Sequence, residues 1–114
     1  MELEIEELEG SILEFRLREN LTAANVTHFK EVLESKINDD ECPEKILINF
    51  LDIGFLDSSG ISSLVTLHRK LKKLGKGFVI VYESKQLEEV FVLTKLNKLF
   101  PLEKDYDDAL DRLS

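Results

Sequence analysis

Two apolar runs, Ile46-Leu47-Ile48-Asn49-Phe50-Leu51 and Phe78-Val79-Ile80-Val81-Tyr82, stand on either side of a segment with helical periodicity. In that segment Ile61, Leu64, Val65, Leu67, His68, Leu71 and Leu74 form one broad apolar side that ends at Gly75. A nearly unbroken apolar run is what a strand covered on both faces needs, and a glycine after the last periodic residue is a common helix stop. Strand, helix and strand in this order predict a right-handed βαβ unit and a largely parallel sheet.

The flanks extend the pattern. Leu3, Ile5 and Leu8 alternate with acids, and Leu13, Phe15 and Leu17 alternate with Glu14, Arg16 and Arg18, with Glu9-Gly10-Ser11 between them. This predicts an opening hairpin and an antiparallel strand at the sheet edge. From Thr22 or Asn25, either a plausible N-cap, the spacing of Val26, Phe29, Val32, Leu33 and Ile37 predicts a first helix. A third follows Ser84 and is expected to bury Leu87, Val90, Phe91 and Leu93 or Thr94. A short strand near Leu99-Phe100-Pro101-Leu102 and a final acidic helix burying Tyr106, Ala109, Leu110 and Leu113 complete the chain. The expected architecture is one α/β domain over residues 1–114, a mixed but mostly parallel sheet with an opening hairpin and about four α-helices.

Composition narrows the function. A net charge of −8 repels nucleic acid and anionic lipid surfaces. No apolar stretch approaches the roughly 20 residues of a spanning helix, and residues 1–10 lack a signal peptide's basic start and apolar middle, so a cytosolic location is expected. Cys42, the only cysteine, offers neither disulfide nor thiolate cage and reads as a reduced loop residue. Arg69, Lys70, Lys72, Lys73 and Lys76 collect where cations complement the second helix's C-terminal dipole, and the acids from Glu103 to Asp111 read as the wet face of the last helix. No enzyme is expected. Gly54 lies too far before Ser58 for a G-x-S-x-G elbow, His28 and His68 give no triad order, and no phosphate loop of the Walker type occurs. His68 falls among apolar positions and reads as a core-edge residue. Asp52 and Asp57 lack the acidic pair and lysine of a phospho-accepting aspartate. No cofactor and no metal are called for.

The informative segment is Leu51-Asp52-Ile53-Gly54-Phe55-Leu56-Asp57-Ser58-Ser59-Gly60, which joins a buried strand to the second helix at the sheet edge where α/β proteins place binding sites. With Asp57 as N-cap, its carboxylate accepts the N–H of Ser59 or Gly60, and Ser58 begins the helix with its hydroxyl free to face solvent. Gly60 adds no side chain, which suggests a smooth surface that another protein can approach. Phosphorylation of Ser58 would add about −1.5 to −2 charges beside Asp57 without breaking the fold. From spacing alone two readings stand: a good helix cap, or a serine switch.

The stretch Ile48-Asn49-Phe50 through Phe55-Leu56-Asp57-Ser58-Ser59-Gly60-Ile61 resembles the signature of the STAS domain, found in bacterial anti-sigma factor antagonists and in cytosolic tails of sulfate transporters. The likeness extends over the hairpin, Leu17 and Leu21, Gly75-Lys76-Gly77, Val90-Phe91 with Thr94 and Leu96, and Ala109-Leu110. It implies a partner that is both anti-sigma factor and serine kinase, captured by the unphosphorylated chain so that a sigma factor is freed. It makes Ser58 the phosphate acceptor and puts Thr22, Asp57, Ser59, Gly60 and Ile61 with it on the docking surface. ATP is then the kinase's substrate, and a phosphatase resets the switch. The chain departs from the antagonist pattern at Glu19 and Lys95, where glycine is common, and at Thr22, where aspartate is common; Lys95 is expected to affect a turn only. The rival implication is an unphosphorylated binding subunit of a stress-sensing scaffold or a membrane transporter complex.

Overall fold

The computed structural model describes residues 1–114. Strands β1 (Leu3–Leu8) and β2 (Ile12–Leu17) form the expected antiparallel hairpin, turned by Gly10 and Ser11 at positive φ. Then come α1 (Val26–Ile37), β3 (Lys45–Phe50), α2 (Ser58–Lys73), β4 (Gly77–Tyr82), α3 (Lys85–Leu93), a single 3-10 turn (Leu96–Lys98), β5 (Leu102–Glu103) and α4 (Tyr106–Leu113). The sheet order is β1-β2-β3-β4-β5, parallel from β2 onward. Strands β2 and β3 have six-residue neighbours on both sides, while β4 meets only the two-residue β5 on its outer side. No helix is long and apolar enough to cross a membrane.

The sheet divides two cores. On one face Phe15, Ile48, Ile80 and their row neighbours pack with Phe29 and Leu33 of α1, Leu64 and Leu71 of α2, and Leu87 and Phe91 of α3. On the other face Ile12, Leu47, Val79 and Val81 are covered by Ala109 and Leu113 of α4. This second layer explains why β3 and β4 are apolar at consecutive positions. It also alters the reading of β2. Glu14 is buried rather than alternating into solvent, with one carboxylate oxygen accepting the Asn49 amide at 3.1 Å and the other the Tyr106 hydroxyl. Burial first, then that carboxylate, pushes the Tyr106 phenol well above its ordinary pKa.

Several apolar positions differ from expectation. Leu51 lies in the turn after β3, and Leu74, Leu93 and Thr94 are exposed, because α2 and α3 have turned these positions off the sheet by their last turns. The helix starts are chemically sound: Ser84 Oγ accepts the N–H groups of Gln86 and Leu87, and Asp105 accepts that of Asp108. Lys95 follows the C-cap of α3 at φ +60°, the left-handed conformation usually taken by glycine. Its departure from the antagonist pattern is therefore confined to a turn. Replacing Lys95 by glycine is expected to stabilise the chain by about 1 kcal/mol and raise Tm by a few degrees in thermal denaturation.

Lys76 is not a free member of the basic group at the end of α2. Its ammonium donates to the carbonyls of Cys42 and Pro43 at 3.2 and 3.1 Å, tying down the loop before β3. Cys42 itself is buried in the larger core, and desolvation raises its thiol pKa, so it is a packing residue. His68 sits edge-on to Phe100 and near Phe78, with its pKa lowered first by burial and then by Lys72.

Candidate functional site

After β3 the chain turns at Leu51 and Asp52, drops Ile53 into the core and reaches α2 through Gly54, Phe55 and Leu56. Arg16 and Arg18 hold Asp52 at 2.8 and 3.3 Å; the Arg16 hydrogen bond is the main reason the Asp52 pKa lies below the usual value. Leu56 forms an isolated parallel bridge with Leu21, which joins this segment to the loop between β2 and α1.

Asp57 caps α2 in extended conformation. One carboxylate oxygen accepts the Gly60 N–H at 2.9 Å, as the sequence predicts; the other accepts the N–H of Ala23 at 2.8 Å, which it does not. The single side chain therefore fixes both the helix start and the neighbouring loop. These two backbone donors, Gly60 first and Ala23 second, lower its pKa. Because the folded value lies below the unfolded one, the clasp is complete above the ordinary aspartate range and is lost as pH falls through the lowered value. In an acid titration followed by NMR, the amide signals of Ala23 and Gly60 are expected to move together in that window. Asp57→Asn should abolish the transition.

Ser58 is the first residue of α2; it is exposed, and its hydroxyl has no hydrogen-bond partner within the chain. Ser59 and Ile61 are half-buried, Ile61 against the larger core. Thr22 is half-buried in the neighbouring loop, where its hydroxyl accepts the Ala24 N–H and its carbonyl accepts those of Asn25 and Val26. Of the two N-caps considered for α1, Asn25 holds the position, but its side chain bonds backward to Thr22 N–H and to the Asn20 carbonyl.

Gly60 corrects the expected smooth surface. It is buried, and a Cβ built on it would lie 2.5 Å from the Leu21 carbonyl oxygen. The missing side chain thus serves a close approach between α2 and the β2–α1 loop, facing inward. What faces outward is a shallow polar groove, where Ser58, Ser59, Ser62 and Thr66 of α2 meet Val26 and Lys30 of α1. Lys30 escaped the sequence reading, although it follows Val26 by one helical turn and so shares its side. No three His, Cys, Asp or Glu side chains gather closely enough to hold a metal ion.

A family model described as the STAS domain matches residues 2–109. Among solved structures, an anti-sigma factor antagonist from Mycobacterium paratuberculosis superposes with a TM-score of 0.88 at 23% identity, covering 98% of this chain and 92% of that one. The anti-sigma factor antagonist SpoIIAA in its unphosphorylated form gives 0.78 at 20% identity, covering 97% and 95%. The Bacillus cell fate determinant SpoIIAA in its phosphorylated form gives 0.74 at 20%, covering 99% and 100%. At these identities the likeness describes a common fold.

Proposed function

Because this chain belongs to the STAS domain family, we propose that it is an anti-sigma factor antagonist, a protein-binding regulator switched at Ser58. Unphosphorylated, it captures an anti-sigma factor that is also a serine kinase, and a sigma factor goes free. The kinase uses its own ATP to phosphorylate Ser58, the complex parts, and a phosphatase restores the hydroxyl. The chain contributes no catalysis and no cofactor of its own. It acts in the cytoplasm, without touching nucleic acid or entering a membrane.

The observation that carries this reading is the state of Ser58: an exposed, unpaired hydroxyl on the first residue of a helix whose cap is fixed from two sides. Adding a phosphate there breaks no internal hydrogen bond, so the fold survives the modification. The neighbouring Asp57 carboxylate makes the added charge felt by any surface docked on it. SpoIIAA, with which the chain shares its fold, has been solved both with and without phosphate. Ser59, Ile61 and Thr22 border the same face and are assigned to the docking surface. Gly60 supports it from beneath.

The test is capture from native lysate with wild-type, Ser58→Ala and Ser58→Asp baits, followed by ATP addition and phosphosite mapping. A kinase-like anti-sigma factor held by wild type and Ser58→Ala, lost with Ser58→Asp, and phosphorylating only Ser58 is the expected result. A transporter or scaffold protein retained by all three baits would instead make the chain a constitutive binding subunit.

A further inference from the structure

The β2–α1 loop carries a side chain that reaches across to a segment more than thirty residues away in the chain. The Asn20 side-chain oxygen accepts two consecutive backbone N–H groups, from Gly54 at 2.9 Å and Phe55 at 3.1 Å. Two converging N–H donors identify the accepting atom as the oxygen. The Asn20 amide nitrogen has no partner within the chain, so the residue works here as an acceptor alone. Its own carbonyl is held by the Asn25 side chain at 2.8 Å, and Asn25 is held in turn by Glu19 at 3.0 Å. The acceptor is thus fixed to the start of α1 before it reaches across to the segment that leads into Ser58.

That segment needs such a support. Gly54 and Phe55 belong to no strand or helix, Phe55 is half exposed, and no other hydrogen bond takes up their N–H groups. Ser58 follows three residues later, so the angle at which its hydroxyl is presented depends on where this segment lies. We infer that Asn20 is a positioning residue for Ser58, acting through the Gly54 and Phe55 amides as the second half of a clasp whose first half is Asp57 on Ala23. Asp57 reaches from the serine segment to the β2–α1 loop, and Asn20 reaches back the other way. With both in place the two loops move as one body, and the serine meets the kinase in a single orientation. This role rests on the functional reading above, but the clasp itself is testable without it.

The experiment compares Asn20→Leu, which keeps the shape and removes the acceptor, with Asn20→Asp, which keeps the acceptor, removes the unused donor and adds one negative charge. Amide hydrogen exchange by NMR is measured in the full chain alone, and Ser58 phosphorylation kinetics with the kinase recovered by capture. In Asn20→Leu, exchange at Gly54 and Phe55 is expected to speed up about tenfold while amides of β3 and β4 keep their rates. Phosphorylation should lose several-fold in kcat with little change in KM, the signature of a misplaced acceptor. Asn20→Asp should restore both. Equal exchange in Asn20→Leu and wild type overturns the inference, as does Asn20→Asp behaving like Asn20→Leu, or altered exchange with unaltered kcat. If wild type itself is not phosphorylated, the functional reading falls, and the exchange comparison still decides whether Asn20 fixes the segment.

Discussion

Ser58→Asp is expected to weaken capture of the anti-sigma partner about a hundredfold or more, whereas Ser58→Ala should stay within a few-fold of wild type, both read by calorimetric titration. The physical reason is a carboxylate placed beside Asp57 on a surface that docking must dehydrate. Like charges brought together in an interface cost several kcal/mol, and each 1.4 kcal/mol is tenfold in affinity. Stability should move the other way. An acid on the first residue of a helix is favourable by about 0.3–1 kcal/mol, so the variant that binds worst is expected to melt no lower than wild type. That opposition of sign separates a lost contact from a damaged fold. If Ser58→Asp binds as tightly as wild type, charge at this position does not control the partner.

Gly60→Ala should be the most harmful conservative change at the site. Alanine is the better helix former by about 1 kcal/mol, and on propensity alone the substitution would stabilise α2. The built Cβ, however, falls 2.5 Å from the Leu21 carbonyl oxygen and 3.4 Å from Leu21 Cγ. The obstacle is backbone, and that same carbonyl accepts the Asp57 N–H at 3.4 Å, so the loop cannot retreat without loosening the clasp. Overpacking of this kind costs about 1–3 kcal/mol, which outweighs the propensity gain and lowers Tm by about 5 °C. Faster amide exchange at Ala23 should accompany it. A Tm at or above the wild-type value would mean that the loop yields freely and that the contact with Leu21 is loose.

Much of this molecule was legible in its sequence where the determinants are local. The hairpin, the parallel unit around α2, and the caps at Asp57 and Ser84 each depend on residues a few positions apart, and all stand where the spacing puts them. What was not legible depends on residues far apart in the chain. Glu14 read as an outward polar residue because the side chains that bury it, Asn49 and Tyr106, arrive from another strand and from the last helix. Gly60 read as an outward gap because nothing local says that Leu21 lies against it. The clasp escaped for the same reason: Asn20 and Ala23 belong to a loop whose composition says only that it turns. Leu74 and Leu93 misled in the opposite sense, since periodicity counts an apolar residue as buried even where the helix has run past the sheet.

The doubly bonded carboxylate of Asp57 has a chemical consequence for phosphoryl transfer. A serine attacking a nucleotide must give up its proton, and the nearest acid in sequence is the obvious candidate to take it. Yet both Asp57 oxygens are already engaged by backbone N–H groups, and its lowered pKa makes it a weaker proton acceptor than an ordinary aspartate. On the proposed reading, the general base is therefore expected to come from the kinase and not from Asp57. On that reading, nucleotide alone is expected to leave the Ser58 hydroxyl unmodified, and the modification waits on a bound partner.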